Sequence, residues 1–77
     1  MSLSPFEKKL LMEFFVTQDE NGSCDFPLSS DADLKEQQIF AINKLRASNY
    51  ILTPTLYLSN PVRITLTYKG KEYIQNY

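Results

Sequence analysis

Apolar side chains recur along this chain with two different spacings, and the switches between them predict its elements. At about 100° per residue, Phe6, Leu10, Leu11, Phe14 and Phe15 spread over one half of a helix covering Pro5–Thr17. Glu7 falls inside that apolar fan. Ser4-Pro5-Phe6-Glu7 explains it as a capping box, in which Ser4 and Glu7 each accept the other's backbone N–H and Pro5 takes the first helical position. Met12 and Val16 lie on the opposite side among Lys8, Lys9 and Glu13. They are either singly exposed apolar residues, which are ordinary, or a weak second stripe for self-association. Asp19-Glu20-Asn21-Gly22 ends the helix with residues that accept a left-handed turn.

The following segment is extended and short. Pro27 forbids helix at Phe26 and donates no ladder hydrogen bond, so residues 24–26 form at most an edge strand. Helical spacing returns over residues 34–48, with Ser30, Asp31 or Asp33 available as N-cap. Leu34, Gln38, Ala41, Ile42 and Leu45 share its inner face, with Ile39 at the edge. The outer face carries Glu36, Gln37, Phe40, Asn43, Lys44 and Ala47, so one large aromatic interrupts a polar stripe. Phe40 is either a contact residue for a partner or a core residue packed under a neighbouring segment.

Strand alternation then takes over. Residues 50–58 and Val62–Leu66 read as two strands joined by Ser59-Asn60-Pro61. Leu56, Leu58, Ile64 and Leu66 share one face, leaving Tyr57, Arg63 and Thr65 on the other. Pro54 cannot donate a ladder hydrogen bond, so the pairing of the first strand is interrupted there or the strand is open on that side. Thr67 caps a closing helix over residues 68–76, in which Gly70 costs about 1 kcal/mol relative to alanine. Such a glycine asks for a packing reason.

The helix ending in Asn49-Tyr50-Ile51, the hairpin, and the step Ile64-Thr65-Leu66-Thr67 with Gly70-x-x-Tyr73-Ile74 together resemble the winged helix-turn-helix superfamily. The similarity is nearest to small YjcQ-like winged-helix proteins of firmicutes and phages, and it covers about half of the chain's 77 residues. It implies an α+β fold: a three-helix core with a short or missing second helix, a two- to three-stranded antiparallel wing and a C-terminal helix. The second helix is the departure, because little chain separates Leu28 from the next helix; it is either one turn at Ser29-Ser30-Asp31 or fused to its successor. By the resemblance Gly70 lets the last helix approach neighbouring backbone, and terminal helices dimerise the protein, here through Met12, Val16, Tyr73 and Tyr77.

The resemblance also implies binding of double-stranded DNA, as in a small transcriptional regulator. Gln37 and Asn43 have the amide geometry for adenine edges, Lys44 suits phosphate or guanine, Phe40 a thymine methyl, and Arg63 on the wing a phosphate or minor groove. Charge is divided in the same sense. Residues 1–33 set two lysines against seven carboxylates, a balance of −5, whereas residues 34–77 set six cations against two carboxylates, a balance of +4. The net charge of −1 and pI near 5.2 nevertheless argue against a strongly basic nucleic-acid binder, and the alternative is a protein-protein interaction module using the same surface without DNA.

Composition bounds the rest. Seventy-seven residues with 43% hydrophobic and 13% aromatic content suffice for one domain, 1–77, with one core. With no histidine, Cys24 lacks the usual base for a nucleophile, so an enzyme is not expected. No cofactor is expected, since the chain has no phosphate-binding glycine loop. Asp19-x-Asn21-Gly22-x-x-Asp25 opens like a calcium loop, but the twelfth position falls on Ser30, so no metal site is expected either. A single cysteine and the absence of a long apolar run or signal-like start point to a cytoplasmic protein with no membrane association.

Overall fold

In the computed structural model, which describes residues 3–53 and 61–76, six elements follow in the order α1 (Pro5–Thr17), β1 (Ser23–Phe26), α2 (Ala32–Ala47), β2 (Ile51–Leu52), β3 (Val62–Leu66) and α3 (Tyr68–Gln75). This is an α+β arrangement of three helices and a three-stranded antiparallel sheet of order β1-β3-β2. The capping box at α1 is formed: Ser4 N–H donates to Glu7 Oε1 at 2.9 Å and Glu7 N–H to Ser4 Oγ at 3.2 Å. Glu7 is therefore only 7% exposed without being unsatisfied.

After α1 the Asp19 carboxylate accepts the N–H groups of Asn21 at 2.8 Å and Ser23 at 3.0 Å, and Gly22 turns the chain at φ 77°. β1 then pairs with β3, Cys24 opposite Ile64 and Asp25 opposite Arg63, and it lies at the sheet edge as Pro27 requires. Among the described residues no helix lies between β1 and α2. Ser29 N–H instead donates to Gln38 Oε1 at 2.8 Å, and the Asp31 carboxylate accepts from Asp33 at 2.9 Å and Leu34 at 3.2 Å, so α2 starts at Ala32. Those bonds absorb the backbone that a second helix would have used. They also draw Gln38 toward the loop and leave Leu34 exposed, so Ala41, Ile42 and Leu45 carry the buried face of α2.

The end of α2 forms a Schellman motif. Asn49 adopts φ 66°, its N–H donates to Arg46 O at 3.0 Å, and Tyr50 N–H donates to Leu45 O at 3.0 Å. The chain thereby leaves α2 directly into β2, whose Ile51 and Leu52 pair with Leu66 and Thr65. The expected continuation through Leu56, Tyr57 and Leu58, and the turn at Ser59 and Asn60, lie outside the described residues. β3 alternates as its sequence requires: Val62, Ile64 and Leu66 are buried, while Arg63 is exposed. Leu11, Phe14, Ile42, Leu45, Ile51 and Ile64 form the centre of the core, with Phe14 and Phe26 edge to face at 5.2 Å.

Thr67 Oγ1 accepts Gly70 N–H at 3.1 Å and starts α3. A methyl group on Gly70 would collide with the carbonyl oxygen of Tyr50, a backbone atom that cannot rotate away. Gly70→Ala should therefore lower stability by about 2 kcal/mol or more in urea unfolding, although an unobstructed helical glycine gains about 1 kcal/mol from the same change. A stabilised variant would contradict this packing. Ser4→Ala should cost about 1 kcal/mol in the same assay, through loss of the cap.

Candidate functional site

Residues seven apart on a helix return to nearly the same face, which sets Gln37, Phe40 and Lys44 in one outward stripe of α2. Phe40 is 65% exposed. The Lys44 ammonium stands 5.4 Å from its ring centroid, a cation–π distance, and 4.0 Å from Glu7 Oε2. The three side chains open onto a groove of about 640 Å³ between α2 and the first turn of α1. Phe6 lines the groove with them, half-buried against the core. Three carboxylates, Glu7, Asp33 and Glu36, also line it. One ammonium against three carboxylates makes the groove negative, and an aromatic residue occupies it. Glu36 and Asp33 lie one and two turns before Phe40, so helical spacing alone placed them beside it in the sequence.

The other two residues expected at a nucleic-acid surface are placed elsewhere. Asn43 is half-buried, and its Oδ1 accepts a long 3.5 Å contact from Arg46 Nη2. Arg63 lies on β3, where its Nη1 donates to Asp25 Oδ1 at 3.2 Å and its Nη2 to Asp19 Oδ2 at 3.3 Å. Cross-strand register causes the first contact and the α1–β1 turn the second. The guanidinium thus sits between two carboxylates, which raise its pKa chiefly through the hydrogen bond it donates to Asp25. A phosphate at this position would have to displace both.

Met12 and Tyr73 share a second groove of about 360 Å³ between α1 and α3, lined also by Pro5, Lys8, Lys9 and Ile74. Val16 is exposed one turn further along α1 and does not line it, and Tyr77 lies outside the described residues. Cys24 is buried in the core cluster, and burial pushes its thiol above the ordinary value, so it packs as a small neutral group. Among the described residues no three His, Cys, Asp or Glu side chains converge on a metal position, and no helix is long and apolar enough to cross a membrane.

The Asp19 carboxyl is held below the ordinary aspartate value by the backbone N–H of Ser23, then that of Asn21, with Arg63 adding to both. A depressed pKa means that this carboxylate stabilises the fold above the unfolded-state value of about 3.9 and loses that contribution as pH falls through the lower folded value. An NMR titration should place the Asp19 midpoint below about 3.9, and Arg63→Gln should raise it only partway because both N–H donors remain. A wild-type midpoint at the ordinary value would contradict the turn geometry. No protein-family model, curated protein or solved structure matches this chain.

Proposed function

We propose that this chain is a protein-docking module that takes an amphipathic, basic segment of a partner into the groove between α1 and α2. The carrying observation is Phe40, a phenylalanine 65% exposed beside Phe6 and among Glu7, Asp33 and Glu36. An apolar anchor in the partner would cover the ring, and its lysines or arginines would meet the carboxylates. A negative groove repels a nucleic-acid backbone. The candidate wing supports the same reading, since residues 53–61 of the sequence contain no lysine or arginine and Arg63 is already paired.

A second reading, a winged-helix transcriptional regulator that binds duplex DNA, is favoured by the order of elements. The sheet order β1-β3-β2 and the direct passage from α2 into β2 are compatible with a winged helix. Three cations also gather at the C-terminal end of α2: Lys44 and Arg46 in its last turn, and Lys69, whose Nζ donates to Ser48 O at 2.8 Å. Both readings place the chain in the cytoplasm, where a lone buried thiol stays reduced.

The two are separated by titrating the protein with a helical peptide carrying leucines at i, i+3 and i+7 and flanking lysines, and in parallel with random-sequence duplex DNA. The docking reading expects saturable peptide binding weakened about tenfold or more by Phe40→Ala and by Glu36→Lys, roughly 1.4 kcal/mol each. It also expects no DNA binding at low salt. Salt-sensitive DNA binding that is lost on Lys44→Glu, with no peptide binding, would replace it by the second reading.

A further inference from the structure

The outer side of α3 and its C-cap present Lys69, Glu72, Tyr73 and Asn76 at i, i+3, i+4 and i+7, with Tyr68 at the first helical position. With Tyr50 they line an open pocket of about 460 Å³, within the usual size range of small-ligand sites. Tyr50 and Tyr73 meet edge to face with ring centroids 5.5 Å apart at 72°, so each limits the other's motion. Tyr68, 81% exposed, leaves almost its whole ring to an incoming group.

Two opposite charges stand in the same pocket. The Lys69 ammonium donates to Ser48 O at 2.8 Å and lies 4.5 Å from the Tyr50 ring centroid. It has three N–H groups, so two remain to meet an anion. Because it covers the Tyr50 ring, it also blocks the face that a simple organic cation would need. Glu72 lies one turn further along α3, exposed, and its carboxylate takes part in none of the ion pairs among the described residues. The pocket thus supplies one cation, one anion and a surface of tyrosine rings.

We propose that this pocket binds a zwitterionic α-amino acid with an aromatic side chain. The ligand carboxylate meets Lys69 and its α-ammonium meets Glu72. Its ring lies against Tyr68 and the exposed edge of Tyr73, while the buried Tyr50 ring backs the pocket beneath Lys69. A ligand bearing only one of the two charges leaves the opposite partner on α3 unanswered, so charge selects it as much as the aromatic surface does. The inference uses no residue of the groove between α1 and α2 and is independent of the docking proposal.

The test is an NMR titration of the full chain with L-phenylalanine, 3-phenylpropionate and phenethylamine, each to about 10 mM, which reaches the weak end of specific affinities. Phenylalanine should give saturable shifts at Tyr50 and along α3, and each singly charged analogue should bind several-fold more weakly. Tyr68→Ala, which removes an exposed ring and leaves the core intact, should abolish saturation. Lys69→Gln should erase the preference for phenylalanine over phenethylamine. Failure of phenylalanine to saturate, or equal binding of either analogue by the unmodified protein, would overturn the proposal.

Discussion

The carbonyl oxygen of Tyr50 is the point on which the rest of the structure depends, because three elements are spaced by it. It accepts the Thr67 N–H at 3.2 Å, and α3 can lie against it only because residue 70 has no side chain. The Schellman turn before it aims the oxygen: Asn49 takes a positive φ, and Tyr50 N–H returns to Leu45 O within α2. Two further bonds close the same joint, Thr67 Oγ1 to Asn49 O at 2.5 Å and Lys69 Nζ to Ser48 O at 2.8 Å. Residues 48–50 thus satisfy the end of α2 and the start of α3 with one set of backbone atoms. A helix end that must be satisfied somewhere is satisfied by the next element.

Both candidate surfaces follow from that joint. With the end of α2 tied to α3 and its inner face spent on Ala41, Ile42 and Leu45, no element among the described residues covers the opposite stripe. Phe40 is left outside in consequence. On α3, Gly70 and Ile74 are turned inward by the same contact, which leaves Lys69, Glu72 and Tyr73 lining the open pocket beside the Tyr50 ring. α1 supports the arrangement from the other side of the core, packing on α2, α3, β1 and β3, and its buried Glu7 brings a carboxylate to the edge of the α2 groove.

Much of this was legible in the order of residues, where the governing forces are local. The start of α1 follows from Ser4 and Pro5, the alternation of β3 from its apolar period, and the packing reason for Gly70 from its cost inside a helix. What was not legible depends on partners distant in sequence. Arg63 looks available until register sets Asp25 opposite it and the Asp19 turn adds a second carboxylate. Whether Phe40 is covered was undecidable from spacing, since a small domain can bury more than half of a central helix; in the fold Ala41, Ile42 and Leu45 take the buried face and Phe40 stays 65% exposed. The choice among three N-caps was equally open, and Asp31 prevails because Ser29 accepts its N–H at 3.0 Å. Asn49 in the left-handed region was allowed by its type but demanded only by the Schellman geometry.

Native-state hydrogen exchange at the Tyr50 and Thr67 amides tests the central claim most directly, since both lie in the joint that spaces α2, the sheet and α3. If the joint positions the two surfaces, these amides exchange only with the globally unfolding unit, with the same protection as the central amides of β3. Exchange of Tyr50 and Thr67 through local opening, while β3 stays protected, would show that α2 and α3 are held apart from this joint and would contradict the account.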